Sequence, residues 1–239
     1  MDDAQSPGAA AGRLERAIWI SAILFTLLGL LVVLALLRQP AATDPWARLN
    51  VYTGGALLVG GVAGIAQAVT FLRSALRSPG IAGEALGLTY DPAIVLFVFV
   101  LEPGKLAVVL DYARWHLVPG LEQPALQAIG LAITVAGSAC LIWTDRWLAR
   151  HFTSDAAAAE LMTGGPYAFV RHPRYLSMLL LGLGFPLVFA SILGWPLWVI
   201  LLIAIRHRIE REEPHLHELF GTAYEAYARR TARLLPGIY

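Results

Sequence analysis

Side chains able to do chemistry are concentrated in two short segments. The first, Gly164 to Tyr175, reads G-G-P-Y-A-F-V-R-H-P-R-Y. Gly164, Gly165 and Pro166 spell a tight turn, and Pro173 suits the first residue of a following helix, where a missing N–H costs little. His172 then stands at the helix cap. The free N–H groups and dipole of such a helix start attract an anion, for example a carboxylate, and Arg171 and Arg174 add positive charge beside it. The alternative is an interfacial cap, with the arginines meeting lipid headgroups and Tyr167 and Tyr175 in an aromatic belt.

The second segment, Arg206 to Pro236, continues an apolar run as an amphipathic helix. Ile209, Leu216, Leu219 and Phe220 recur near the 3.6-residue period, and Gly221 is expected to stop or bend the helix. Tyr224 and Tyr227 fall on one face of a new short helix. Glu212 and Glu213 follow a membrane arm and precede Pro214, so at least one points to the bundle mouth, where a carboxylate needs a cationic or hydrogen-bonding partner. Arg208, four residues before Glu212, lies on the right face to supply it. Arg229 and Arg230 read as solvated charges of an interfacial helix. His207, His215 and His217 raise the question of a metal, but His215 and His217 are two apart and diverge on a helix, so none is expected.

The elements that must carry these segments are set by composition. Of 239 residues, 57% are hydrophobic and 15% charged, against roughly 25% charged in soluble domains, and the apolar runs are long enough for the bilayer to be the solvent. Ile18 to Leu37 is a first span bracketed by Arg16 and Arg38. It is too long for a signal-peptide h-region and reads as a retained anchor. Val51 to Leu72 is a second, with Gly54, Gly55, Gly60, Gly61 and Gly64 offering small surfaces for close helix contact. Ala93 to Leu110 is a third, interrupted by Glu102, Pro103, Gly104 and Lys105 and so expected to be broken or buried in protein. A Glu102–Lys105 pair, or a span that starts later, accounts for its charges; the alternative is that these intramembrane groups bear on substrate specificity. Leu126 to Thr144 is a fourth, ending at Asp145 and Arg146. Tyr175 to Ile205 is an uncharged run broken by Gly and Pro, best read as a hairpin of two arms, Tyr175 to Phe189 and Leu193 to Ile205. With a cytoplasmic N-terminus, 14 arginines fall inside and three, Arg38, Arg48 and Arg114, outside. Both chemical segments and both termini then face the cytosol. Cys140, the sole cysteine, is read as core packing, which leaves no internal disulfide. The net charge of +1 gives no field for nucleic acid.

Together the two segments resemble the isoprenylcysteine carboxyl methyltransferase family, which takes in phospholipid N-methyltransferase-like and related bacterial membrane methyltransferases. The matching positions are Gly165, Pro166, Tyr167, Arg171, His172, Pro173 and Tyr175, followed after the hairpin by Arg208, Glu212, Glu213, Leu216, Phe220, Gly221, Tyr224, Tyr227, Arg233 and Pro236. The resemblance runs from near Leu126 to the end of the chain. It implies S-adenosyl-L-methionine bound on the cytoplasmic side, between the His-Pro turn, the hairpin and the Glu212–Glu213 helix, with a lipid-like acceptor entering from the bilayer. Gly165, Pro166, Tyr167, His172, Pro173, Tyr175, Glu212, Glu213, Tyr224 and Tyr227 would then hold the cofactor, the tyrosines walling the adenine and shielding the sulfonium. Arg208, Glu212 and Glu213 would serve catalysis, Arg208 orienting an anionic acceptor or a glutamate taking a proton from an amine or thiol.

The expected fold is therefore all-α: a polytopic transmembrane helix bundle of about four spans, a C-terminal helical hairpin and a cytoplasmic amphipathic helix. Residues 1–122 form N-terminal transmembrane helices that shape the substrate path, and residues 123–239 form the methyltransferase-like core. Two other readings stand beside it. One is an NADPH-dependent enzyme like the sterol double-bond reductases, which would need extra basic residues for the 2′-phosphate. The other is a non-catalytic membrane scaffold.

Overall fold

The computed structural model describes residues 50–77, 102–115, 117–118, 120–151 and 160–235. Among them the order is α1 (Val51–Arg77), α2 (Glu102–Leu110) continued by a π-helical turn (Asp111–Trp115), α3 (Pro124–His151), a 3-10 turn (Gly165–Ala168), α4 (Pro173–Val188) and α5 (Gly194–Arg230). No strand occurs among the described residues; one isolated parallel bridge joins Val170 to Ala232. The expected first span, the Ala93–Leu101 half of the third and both termini lie outside the described residues. So does the side chain of Glu102, and with it the expected Glu102–Lys105 pair.

α3 starts at Pro124, whose missing N–H is harmless in a first turn, and ends with Arg150 and His151, basic groups that suit the carboxyl end of a helix dipole. It runs past the expected end at Thr144. Asp145 and Arg146 sit inside its closing turns because Asp145 finds a partner on α4, described below. Among the described residues α3 is the one helix long and apolar enough to cross a membrane, with shorter apolar helices at Val51–Ala66 and Pro173–Val188.

The tightest contact is between α3 and α4, and glycines make it. A Cβ on Gly184 would lie 2.4 Å from Thr134 Oγ1 and 2.8 Å from the Gly130 carbonyl, and one on Gly130 would lie 2.7 Å from the Val188 nitrogen. Small residues at such crossings let backbones approach and gain dispersion contact that lipid cannot outcompete. The glycine surface expected on the second span is used less. Gly55 meets Leu131 and Gly60 meets Phe185, but a Cβ on Gly54, Gly61 or Gly64 would meet no described atom within 4 Å.

α4 and α5 form the expected hairpin, its arms starting two residues earlier and one later than expected. Its tip, Phe189 to Leu193, is pinned by Ser191, whose N–H donates to the Pro186 carbonyl at 3.1 Å and whose hydroxyl donates to Asp111 Oδ2 at 2.6 Å. Asp111 Oδ1 accepts the Leu117 N–H at 3.0 Å. Both side chains are buried. The hydrogen bonds explain how a carboxylate is tolerated on the π-helical turn, a residue whose part in the fold the sequence did not disclose. Ser191→Ala should leave Asp111 Oδ2 short of a donor and cost about 1–3 kcal/mol, read as a lowered melting temperature in detergent; an unchanged melt would contradict the pairing.

α5 carries the amphipathic segment without a break at the membrane arm. It contains Pro214 and bends at Gly221, where φ is 50° and ψ −126°, a backbone state open to glycine and costly for other residues. The apolar stripe is narrower than expected. Ile209 is buried and Leu216 and Phe220 half-buried, while Leu219 is 61% exposed, since at 3.6 residues per turn it falls well off the line through the other three. Beyond Arg230 the chain turns back across the His-Pro turn: Arg171 N–H donates to the Ala232 carbonyl at 2.8 Å and His172 N–H to the Arg233 carbonyl at 3.0 Å. Leu234 locks this strap into the cluster of Leu179, Leu201, Ile205 and Ile209.

Candidate functional site

The His-Pro turn, the Glu212–Glu213 turn of α5 and the strap meet at one end of the hairpin. Gly165 has φ +58°, and a Cβ there would overlap the Trp147 ring at 2.4 Å. The glycine thus both makes the turn and seats it on α3. Pro166 is buried behind it and Pro173 begins α4, as expected. His172 stands at the N-cap position but makes no side-chain capping bond. Its buried imidazole faces two carboxylates, with Nδ1 3.8 Å from Glu212 and Nε2 3.6 Å from Glu213.

Glu213 is the hub. Arg233 donates to its Oε2 from Nε at 2.8 Å and Nη2 at 2.7 Å, and Arg171 Nη1 lies 3.1 Å from Oε1. Burial on its own would raise its pKa, but the facing His172 imidazole, the hydrogen bonds from Arg233 and the charges of Arg171 and Arg233 outweigh it, holding the carboxyl at about 2, down from 4.5. Since the folded value lies below the unfolded one, the stability this gives is whole above about pH 4.5 and is lost as pH falls through about 2. Melting curves across that window should show an acid-dependent loss that Glu213→Gln lacks. Equal acid sensitivity in the two proteins would count against the assignment.

Tyr224 is buried beside this hub, and burial, then the charge of Glu213, pushes its phenol pKa up, so it stays a protonated donor. Tyr227 is buried too, its hydroxyl spent on the Tyr167 carbonyl at 2.7 Å. That bond ties the segment after the Gly221 bend to the His-Pro turn. Glu210, Glu213, Pro214, His217, Tyr224 and Arg233 line an open hollow of about 330 Å³, within the roughly 300–1,000 Å³ of small-molecule sites.

Arg208 pairs with Glu212 as expected, Nε to Oε1 at 2.9 Å. Tyr175 joins them: its hydroxyl donates to Glu212 Oε1 at 2.6 Å and accepts from Arg208 Nε. Its ring stacks on His172 with centroids 5.6 Å apart. Arg174 departs from expectation. It turns away from the hub to Asp145 on α3, Nε to Oδ1 at 3.4 Å, so Arg171 and Arg233 supply the positive charge instead. Arg229 and Arg230 are exposed, as expected. Sequence reasoning missed Asp145, Trp147 and the pairing of Arg233; for Arg233 the signal was present in the motif resemblance.

Residues 124–223 match the model of the phospholipid methyltransferase family. Methanethiol S-methyltransferase 1 of Bradyrhizobium diazoefficiens is 27% identical over 150 residues, covering 56% of this chain and 52% of the relative. Protein-S-isoprenylcysteine O-methyltransferase of Schizosaccharomyces pombe is 32% identical over 77 residues, covering 32% of this chain and 33% of the relative. The chain thus spans about half the length of one curated relative and a third of the other. The segment that carries the hairpin, the His172 turn and the Glu212–Glu213 pair is thus similar to the phospholipid methyltransferase family, and the curated relatives the chain resembles are methyltransferases.

Proposed function

We propose that the protein is an integral membrane methyltransferase that uses S-adenosyl-L-methionine and methylates a lipophilic or amphipathic acceptor, an isoprenylcysteine-like carboxylate, a lipid amine or a thiol. One observation carries the cofactor assignment. Arg171 Nε, His172 Nε2, Glu213 Oε1 and Tyr224 Oη are four of the five buried side-chain polar atoms that lack a well-formed hydrogen bond among the described residues, Glu213 Oε1 keeping its ion pair with Arg171 at 3.1 Å. Native interiors rarely leave such atoms unmatched, and here they gather beside a hollow open to solvent. A zwitterionic ligand suits this donor set. Arg171, Arg233 and the N–H groups at the start of α4 would take its carboxylate, Glu213 its ammonium or a ribose hydroxyl, and Tyr224, Tyr227 and Tyr167 would wall its base.

When bound, this cofactor supplies a methyl group on positively charged sulfur, delivered by in-line displacement. The residues of the chain hold, orient and exclude water, and positioning of this kind provides much of the rate. No covalent nucleophile is called for. Residues 123–239 would form this core on the cytoplasmic face and residues 1–122 would shape the path from the bilayer.

Calorimetry in detergent tests the reading. The protein should bind S-adenosylhomocysteine, and His172→Ala should weaken that binding about 10–100-fold, the worth of a hydrogen bond to a charged group. No heat with either form of the cofactor, alongside tight NADPH binding, would overturn it.

A further inference from the structure

We propose that Tyr175 takes the proton from the methyl acceptor and passes its own to Glu212, and that the acceptor is a lipophilic thiol. The inference rests on the methyltransferase reading above. The Tyr175 hydroxyl donates to Glu212 Oε1 and accepts from Arg208 Nε. A phenol oxygen carries one proton and two lone pairs, so these bonds use the proton and one lone pair and leave the second lone pair for an incoming S–H. Its proton already points at a carboxylate 2.6 Å away.

Tyr175 stands beside the Glu213 hub, with its hydroxyl turned to Glu212 and Arg208. The His172 ring lies between, stacked on Tyr175 on one side and turning Nε2 to Glu213 at 3.6 Å. Arg208, which holds the Tyr175 hydroxyl, stands about one turn of α5 before Glu212, on the side of the hairpin arms. The acceptor compartment is thereby the bilayer side of the His172 ring.

Charge selects the acceptor. Arg208 pairs with Glu212, whose carboxylate also faces His172 Nδ1 at 3.8 Å, so a carboxylate acceptor at Tyr175 Oη would face Glu212 and, already ionised, would have no proton to give. A thiol is neutral on entry and has one proton to lose. In the step, the S–H bond breaks, its proton goes to Tyr175 Oη and the Tyr175 proton goes to Glu212. The freed sulfur pair bonds the methyl carbon as the carbon–sulfonium bond breaks, and the electrons of that bond neutralise the departing sulfur. The products are a methyl thioether, a neutral cofactor thioether and a protonated Glu212, which returns its proton to water.

The test uses the full chain in detergent with two probes that share a tail: N-octanoylcysteamine, a thiol, and N-octanoylglycine, a carboxylate. Wild type should methylate the thiol in preference. Tyr175→Phe should melt as wild type does, which controls for folding, yet lose about 100–10,000-fold in kcat on the thiol with little change in KM for the thiol. The lost rate should return as pH rises through the ionisation of the thiol itself, near 8.5 for one of cysteine's acidity, because a thiolate needs no base. Glu212→Gln should show the same loss and the same recovery. Preference for the carboxylate, no transfer to the thiol, an unchanged kcat in Tyr175→Phe, or a loss that is equal at every pH would each overturn the proposal. A wild type that fails to bind S-adenosylhomocysteine overturns the methyltransferase reading itself, whereas a wild type that binds it and transfers no methyl to the thiol overturns the present proposal alone.

Discussion

Replacing Glu213 by alanine is expected to abolish cofactor binding and to release residues 231–235 from the His-Pro turn. The side chain is 11% exposed and faces Arg171, Arg233 and His172 together. Removing one partner of a buried pair leaves the other charge uncompensated, which costs about 3–5 kcal/mol. Arg233 is 36% exposed and water can reach it, so the lower end, about 3 kcal/mol, is the expected loss. The strap is held by two backbone hydrogen bonds, Leu234 and this ion pair. Trypsin should therefore cut after Arg233 in the variant much faster than in wild type. Glu210→Ala is the contrast. Its ion pair with Arg206 is exposed at 46% and 69%, and such pairs contribute about 0–1 kcal/mol. Equal melting temperatures and digestion rates for Glu213→Ala and wild type would remove Glu213 from the centre of the site.

The second large effect is expected at the α3–α4 crossing. Gly184→Val places carbon where the Gly130 carbonyl and the Thr134 nitrogen stand within 3 Å of a single added Cβ. Backbone cannot rotate aside as a side chain can, so the helices must part, and overpacking of this kind costs about 3 kcal/mol or more. The site should suffer with the fold, because α4 carries His172 and Tyr175 at its first turn. Gly182→Ala is milder: its Cβ meets the Leu201 methyl at 2.8 Å and the Trp198 ring at 3.2 Å, side-chain atoms that can shift where backbone cannot. Melting temperatures of the two variants check this, and a Gly184→Val protein as stable as Gly182→Ala would contradict the close crossing.

Relations within one helix are legible in the amino-acid sequence. Arg208 and Glu212 are four apart on a continuous helix, so their pairing follows from the 3.6-residue period. The His172–Pro173 helix start, the Gly165–Pro166 turn, the bend at Gly221 and the hairpin between Tyr175 and Ile205 are likewise carried by local chemistry, since proline and glycine constrain the backbone wherever they occur. Length and apolarity identify the helical, membrane-type architecture, although Asp145 lies inside α3 and not at the span end that its charge suggests. A charged residue looks like a boundary until its partner, here Arg174, is seen.

The rest is decided by how helices cross. Glu213 meets Arg233 twenty residues on and Arg171 forty-two residues back, and no period links those positions. Tyr175, an aromatic wall by sequence, becomes a hydroxyl between Arg208 and Glu212 because the first turn of α4 faces α5 across 33 and 37 residues of chain. Asp111 is tolerated in the core because the hairpin tip brings Ser191 to it. The sequence by itself determined which groups would be present and on which helical faces they would lie. Tertiary structure decided which charges neutralise one another, because that depends on interhelical approach, set here by Gly130 and Gly184 and by a strap that folds back over the turn.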